Sequence, residues 1–225
     1  MLEEKLPALK RELIEFASLV ESMIQKSIRG LMRKDSALLR EVIEQDEPKA
    51  NAFEIELDEH CTNLIAQYQP IAKDLRTVLM ILKMNSDIER MGDHAVNIAE
   101  SATYLIERTP VKPLLDTPRM AEEVVQMVNG SLCSFINEDA RLARSICERD
   151  NIVDALAEQI LRELITYMSA DPSTIERSLH LLDIAGNLER IADLSTNIGE
   201  DVIFMVEGRV IKHHKEDEQE SAERA

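Results

Sequence analysis

One polar frame occurs twice in this chain, one hundred residues apart. "DIERMGDHAVNIAE" runs from Asp87 to Glu100 and "NLERIADLSTNIGE" from Asn187 to Glu200. Both copies fit E-R-x-x-D-x-x-x-N-I-x-E, and both lie on an apolar heptad. In the first copy the heptad reads Ile81, Met84, Ile88, Met91, Ala95, Ile98; in the second it reads Leu181, Ile184, Leu188, Ile191, Ser195, Ile198. A stripe of that period folds as a long helix buried along one side. A helix written twice at one phase calls for a fold that repeats itself.

The flanking segments repeat too. Ser27 falls on Ser131, Asp35 on Asp139 and Glu89 on Glu189. Leu9, Leu13, Phe16, Val20 and Met23 keep helical gaps and predict a first helix. Asp35 caps a second that runs from about Ser36 toward Tyr68, with Pro48 kinking it or ending a first short piece. Pro70 suits the first turn of a third, which reaches about Glu107. Pro110, Pro113 and Pro118 break the pattern. Helices then follow from about Pro118 to Asn137 and from about Asp139 to Met168, the latter with a possible break near Asp150. Asp171-Pro172 opens the last, and Gly208 stops it.

The fold class is therefore all-α, with six long helices in two tandem, pseudo-symmetric three-helix bundles. The first repeat spans 1–109, the Pro-rich linker 110–117, the second repeat 118–212 and a polar tail 213–225. Aromatic residues are only 3% of the chain and Trp is absent, so aliphatic side chains and ten Met must fill the core.

Charge narrows the partners. The formal net charge is −17. Such a surface repels nucleic-acid phosphates and anionic lipid, and favours a cation or a basic protein. The longest uncharged run, Val124 to Asn137, is too short to span a bilayer. No basic-then-apolar leader opens the chain. Cys61, Cys133 and Cys147 have no C-x-x-C spacing and read as packed thiols in a reducing, cytoplasmic setting.

At about 100° per residue, Glu89, Asp93, Asn97 and Glu100 share one face, nearly opposite the apolar stripe. Glu189, Asp193, Asn197 and Glu200 do the same. Acidic residues on a polar helix face are usually only solvated. Here like charges at i,i+4 cost roughly 0.2–0.5 kcal/mol, and the cost recurs at the equivalent place. The second helices add Asp150 and Asp154 in one half, Glu47 and Asn51 in the other. Oxygen ligands converging from two helices suit Fe, Mn, Mg or Ca, and Zn less well. Arg90 and Arg190 read as local ion pairs, or as contacts to an acidic or phosphate-bearing partner. Glu-x-x-His, the di-iron signature of core-facing helices, does not occur. Neither does G-x-x-x-x-G-K, nor a convergent Cys/His pair.

The stretches "QPIAKDLRTVLMILKMNSDIERMGDHAVNIAE" (69–100) and "NLERIADLSTNIGEDVIFMVEGRVIKHH" (187–214) resemble the two repeats of the PhoU family, and "DNIVD" (150–154) is similar to its second-helix motif. The resemblance runs from about residue 10 to 214. It implies a cytoplasmic negative regulator of the phosphate-starvation response, often dimeric. Such a protein links the ATP-binding subunit of the high-affinity phosphate ABC transporter to a sensor histidine kinase. It also implies multinuclear iron or zinc held by E/D-x-x-x-D motifs on the bundle surface. Carried over, those motifs are Glu89/Asp93 and Glu189/Asp193, with Asp150/Asp154 and Glu47/Asn51 beside them. Asn51 stands where a carboxylate is common, and Leu194-Ser195-Thr196 replaces the more usual His-Ala-x. The expectation is a non-enzymatic adaptor; a metal-carboxylate enzyme and a metal-free helical scaffold are the other readings.

Overall fold

The structure, a computed structural model, describes residues 2–208. The tail expected at 213–225 and the end of the second repeat lie outside the described residues. Helix α1 spans Leu2–Arg33, α2 Ser36–Glu41, α3 Glu47–Tyr68, α4 Ala72–Ile106, α5 Asp116–Asn137, α6 Ala140–Ala170 and α7 Ile175–Glu207. No strand occurs among the described residues. A widened turn at Val42–Asp46 joins α2 to α3 without a break in the helix, so α2 and α3 act as one kinked element and the described chain has six long helices.

Pro48 explains the widened turn. It has no N–H, and its ring crowds the carbonyl four residues earlier. Bonding from the Glu47 N–H to the Val42 carbonyl relieves that crowding. The turn rotates Asp46 inward until it is only 2% exposed. Lys26 of α1 meets it there at 2.6 Å and also holds Glu41 at 2.6 Å.

The caps follow the chemistry of the sequence. The Asp35 carboxylate accepts from the Ala37 and Leu38 amides, and Asp139 accepts from Arg141 and Leu142. Asp171 accepts from Ser173 at the start of a 3₁₀ turn, Pro172–Thr174. Gly208 ends α7 at φ 71, where only glycine is unstrained. Two expectations need correction. Pro70 is not in the first turn of α4; Ile71, after it, is still extended, and the helix begins at Ala72. No break occurs near Asp150: α6 is continuous, because nothing in "ERDNIVD" removes a backbone donor.

Each bundle buries its heptad stripe. Ile81, Met84, Ile88 and Met91 of α4 are buried, as are Leu181, Ile184, Leu188 and Ile191 of α7. Ser195 sits in the second stripe fully buried and donates to the Ile191 carbonyl. In the first bundle Ser27 donates to Met23 and to the Ala95 carbonyl, which ties α1 to α4.

The bundles lie side by side along two antiparallel seams. In one, α4 meets α7. Lys83 pairs with Asp201 at one end, and Ser101 donates to Asp183 at 2.7 Å near the other. His94 pairs with Asn187 at 2.8 Å between them. Tyr104 stacks on His180 with ring centres 3.9 Å apart. In the other seam α1 meets α5, where Asn129 donates to Glu21 at 3.1 Å and Lys10 holds Glu138.

Candidate functional site

The repeated carboxylates line the outer grooves between the second and third helices of each bundle. In the second bundle the groove is set by the approach of α6 to α7. A Cβ at Gly199 would meet the Cys147 Sγ at 3.1 Å and the Ala143 carbonyl oxygen at 3.2 Å, so any side chain here would push the two helices apart by a few tenths of an ångström. The same register sets the Cys147 thiol 3.7 Å from the Thr196 carbonyl oxygen. Two turns further along it brings Asp154 of α6 to Glu189 and Asp193 of α7.

Electrostatics record that crowding. Burial raises the Glu189 carboxyl above its ordinary range, and the charges of Asp154 and Asp193 raise it further; Arg190 acts against them. Asp193 is partly offset by the Arg190 guanidinium, which donates to it at 3.1 Å. Asp150, one turn before Asp154, shares with Asp193 a cleft of about 380 Å³ that Arg90, His94, Arg190 and Glu200 also line. That cleft joins the two repeats, since Arg90 and His94 come from α4.

The first bundle is built alike but from partly different residues. Burial, then Asp93 and Glu54, raise the Glu89 carboxyl, with Arg90 opposing. Burial, then Asp58 and Asp93, raise Glu54. The cluster is therefore Glu54 and Asp58 of α3 with Glu89 and Asp93 of α4. Asn85, fully buried, donates to the Glu54 carbonyl at 2.9 Å and to the Asp58 carboxylate at 2.8 Å, which fixes α3 against α4. Glu47 and Asn51 stand on α3 ahead of this pair, and the charges acting on Glu89 and Glu54 are not theirs. Sequence reasoning passed over Glu54 and Asp58. Their own i,i+4 spacing, two and three turns beyond Glu47, was the available signal.

Smaller departures bear on the chemistry. Arg90 pairs with Asp87 at 3.6 Å, whereas Arg190 pairs with Asp193. Asn97 donates across the seam to Asn187 and so leaves the carboxylate face. Cys133 is exposed, not packed. Burial pushes the Cys61 thiol up to about 12 and the Cys147 thiol up to about 11, so neither is a thiolate at neutral pH.

Both clusters offer hard oxygen donors only, the donor class that suits Fe, Mn, Mg or Ca. Carboxylates raised by burial and then by like-charged neighbours are also what a cation would return toward the ordinary range. Among the described residues no three His, Cys, Asp or Glu side chains close around a point to hold a metal ion. The donors share a face without converging. No helix among the described residues is long and apolar enough to cross a membrane.

Comparison with known proteins places this geometry in context. The PhoU domain family matches residues 13–102 and 117–202. A phosphate-specific transport system accessory protein PhoU homolog of Aquifex aeolicus is 41% identical over 210 residues, covering 93% of this chain and 95% of its own. The crystal structure of PhoU from Pseudomonas aeruginosa superposes with a TM-score of 0.89 at 34% identity, over 93% of this chain and all of that one. The phosphate transport system regulatory protein PhoU from Streptococcus pneumoniae superposes with a TM-score of 0.87 at 26% identity, over 95% of this chain.

Proposed function

This chain belongs to the PhoU family, and from that premise we propose that it is a cytoplasmic, non-enzymatic negative regulator of the phosphate-starvation response. Its two repeats, 1–109 and 118–212, would work as a homodimeric adaptor. One partner is the ATP-binding subunit of the phosphate ABC transporter, the other a phosphate-sensing histidine kinase. Relatives described as accessory proteins of phosphate-specific transport support the reading.

The observation that carries it is the paired crowding of carboxylates in equivalent grooves. Glu54, Glu89 and Asp93 act on one another in the first; Asp154, Glu189 and Asp193 do so in the second. Acidic grooves of this kind favour a basic docking region on a partner. Among iron and zinc, the oxygen-only donors suit iron better; Glu89, Asp93, Glu54 and Asp58 in the first repeat, and Glu189, Asp193 and Asp154 in the second, would have to close around it, since they share a face without converging. Asp150 and Glu47 stand at the margins of those sets. A bound cation would supply positive charge that keeps the carboxylates ionised and fixes the charge of the face. The protein's own part is to hold the acids in register, through Asn85 in one groove and the Gly199–Cys147 contact in the other.

Deletion of the gene tests the regulatory reading. Phosphate-starvation genes should be expressed in phosphate-rich medium when the protein is missing. Normal repression in a clean deletion strain overturns it.

A further inference from the structure

Beyond the acids, the α6/α7 groove carries a second feature. Leu161 and Ile165 of α6 and Ile175 and Leu179 of α7 are between 42% and 55% exposed. The register that sets Cys147 beside Thr196 sets Leu161 level with Leu182 and Ile165 level with Ser178, the neighbour of Leu179. On α6 these residues lie on the same side as Asp154, and on α7 on the same side as Glu189 and Asp193. The four side chains therefore form an apolar strip that leads toward the carboxylate cluster, flanked on α6 by the exposed Arg162–Glu158 pair at 3.0 Å.

Gly186 stands between the two, on the same face of α7. A Cβ added there would meet nothing within 4 Å. A glycine inside a helix costs about 1 kcal/mol relative to Ala, and no contact among the described residues accounts for this one. Gly92 and Gly199, by contrast, are each closed against a neighbouring helix. An open, bare stretch of helix lets another backbone approach closely.

We propose that this face of the second repeat is a docking groove for an amphipathic helix of a partner protein, basic at one end and apolar along the rest. The proposal rests on the adaptor reading and specifies its surface. From Ile175 to Glu189 the groove is about 21 Å long at 1.5 Å per residue, the length of roughly four helical turns. Leu or Ile side chains at i, i+3 and i+4 would cover Leu161, Ile165, Ile175 and Leu179. Lys or Arg at the far end would meet Asp154, Glu189 and Asp193, whose mutual repulsion marks the place where positive charge is favoured. A second copy of this chain is the poorer occupant of this face, because a chain of net charge −17 is a weak source of the basic end that Asp154, Glu189 and Asp193 call for; a homodimer would form through another surface.

The test measures binding of the full chain to the transporter's ATP-binding subunit and to the kinase's cytoplasmic portion, at low and high salt. The variant is Ile165→Asp with Leu179→Asp. Both sites are exposed, so helicity by circular dichroism should be unchanged. Ile55→Asp, at an exposed isoleucine of α3, is the control. The expected result is that wild type binds at least one of the two, more weakly at high salt. The double variant should then lose about tenfold or more in affinity, and the control should not. Wild-type binding that the double variant retains would overturn the groove and leave the adaptor reading standing. If wild type binds neither protein, the adaptor reading fails, and the groove falls with it. A double variant that changes only self-association, by sedimentation, would assign the face to a second copy and overturn the proposal.

Discussion

Gly199 of α7 faces Cys147 of α6 so closely that a Cβ on the glycine would meet the thiol at 3.1 Å. That approach sets the register in which Asp154 meets Glu189. Gly199→Val should therefore force the two helices apart, at a cost of about 1–3 kcal/mol in urea denaturation. Gly186→Ala should do the reverse and stabilise the isolated protein by up to about 1 kcal/mol. Equal effects from the two would mean that the spacing of α6 and α7 is not controlled at Gly199.

Asp87 gives the clearest pH dependence. Burial, and then the charge of Asp201 across the seam, push its carboxyl up to about 6, although Arg90 and Lys83 oppose the shift. An unfolded Asp titrates near 3.9. The folded state thus holds this proton more tightly, and the stability it contributes is complete below about pH 4 and lost as pH rises through 6. Asp87→Asn should accordingly raise Tm relative to wild type at pH 7 to 8, with the gap closing by pH 4. A gap that is constant with pH would contradict the assignment.

Asp46 is buried at the widened turn with Lys26 as its partner. Removing Lys26 leaves Asp46 only the exposed Lys49, whose ammonium lies 3.6 Å away. Lys26→Met should cost about 1–2 kcal/mol, less than a fully buried pair because Lys49 still compensates, and adding Asp46→Leu should recover much of it. A double variant as unstable as the single one would show that the pair does not act as a unit.

Metal loading has a readout in stability. A ligand present at about one hundred times its Kd stabilises the folded state by about 2.7 kcal/mol. Fe²⁺, Mn²⁺ or Zn²⁺ should raise the Tm of chelator-treated wild type and fail to raise that of Asp93→Asn with Asp193→Asn. The same rise in both would place the cation elsewhere.

Most of the fold was legible in the sequence. The stripe from Ile81 through Ile98 is buried at every step, and Asp35 and Asp139 open helices and Gly208 closes one as their chemistry requires. In the first cluster the i,i+4 acids Glu54 and Asp58 stand in the sequence, but not the fact that they, rather than Glu47 and Asn51, face Glu89. Which α3 residues face Glu89 depends on the rotation introduced at Val42–Asp46 and on the Asn85 contact, and neither appears in a pattern of apolar spacing. Laying Asp150/Asp154 over Glu47/Asn51 assumed a phase that the widened turn changes. The apolar strip was hidden for a related reason. Leu161, Ile165 and Leu179 recur at helical spacing just as core residues do, and only packing reveals that nothing among the described residues covers them.

The most direct measurement replaces the chromosomal gene with one encoding Glu89→Gln, Asp93→Asn, Glu189→Gln and Asp193→Asn together. Expression of phosphate-starvation genes is then followed in phosphate-rich medium, with the protein's abundance checked in the same cells. If the repeated carboxylate faces carry the regulation, expression rises as in the deletion strain while the variant accumulates normally. Full repression by a normally abundant variant would show that the faces are only solvated surface.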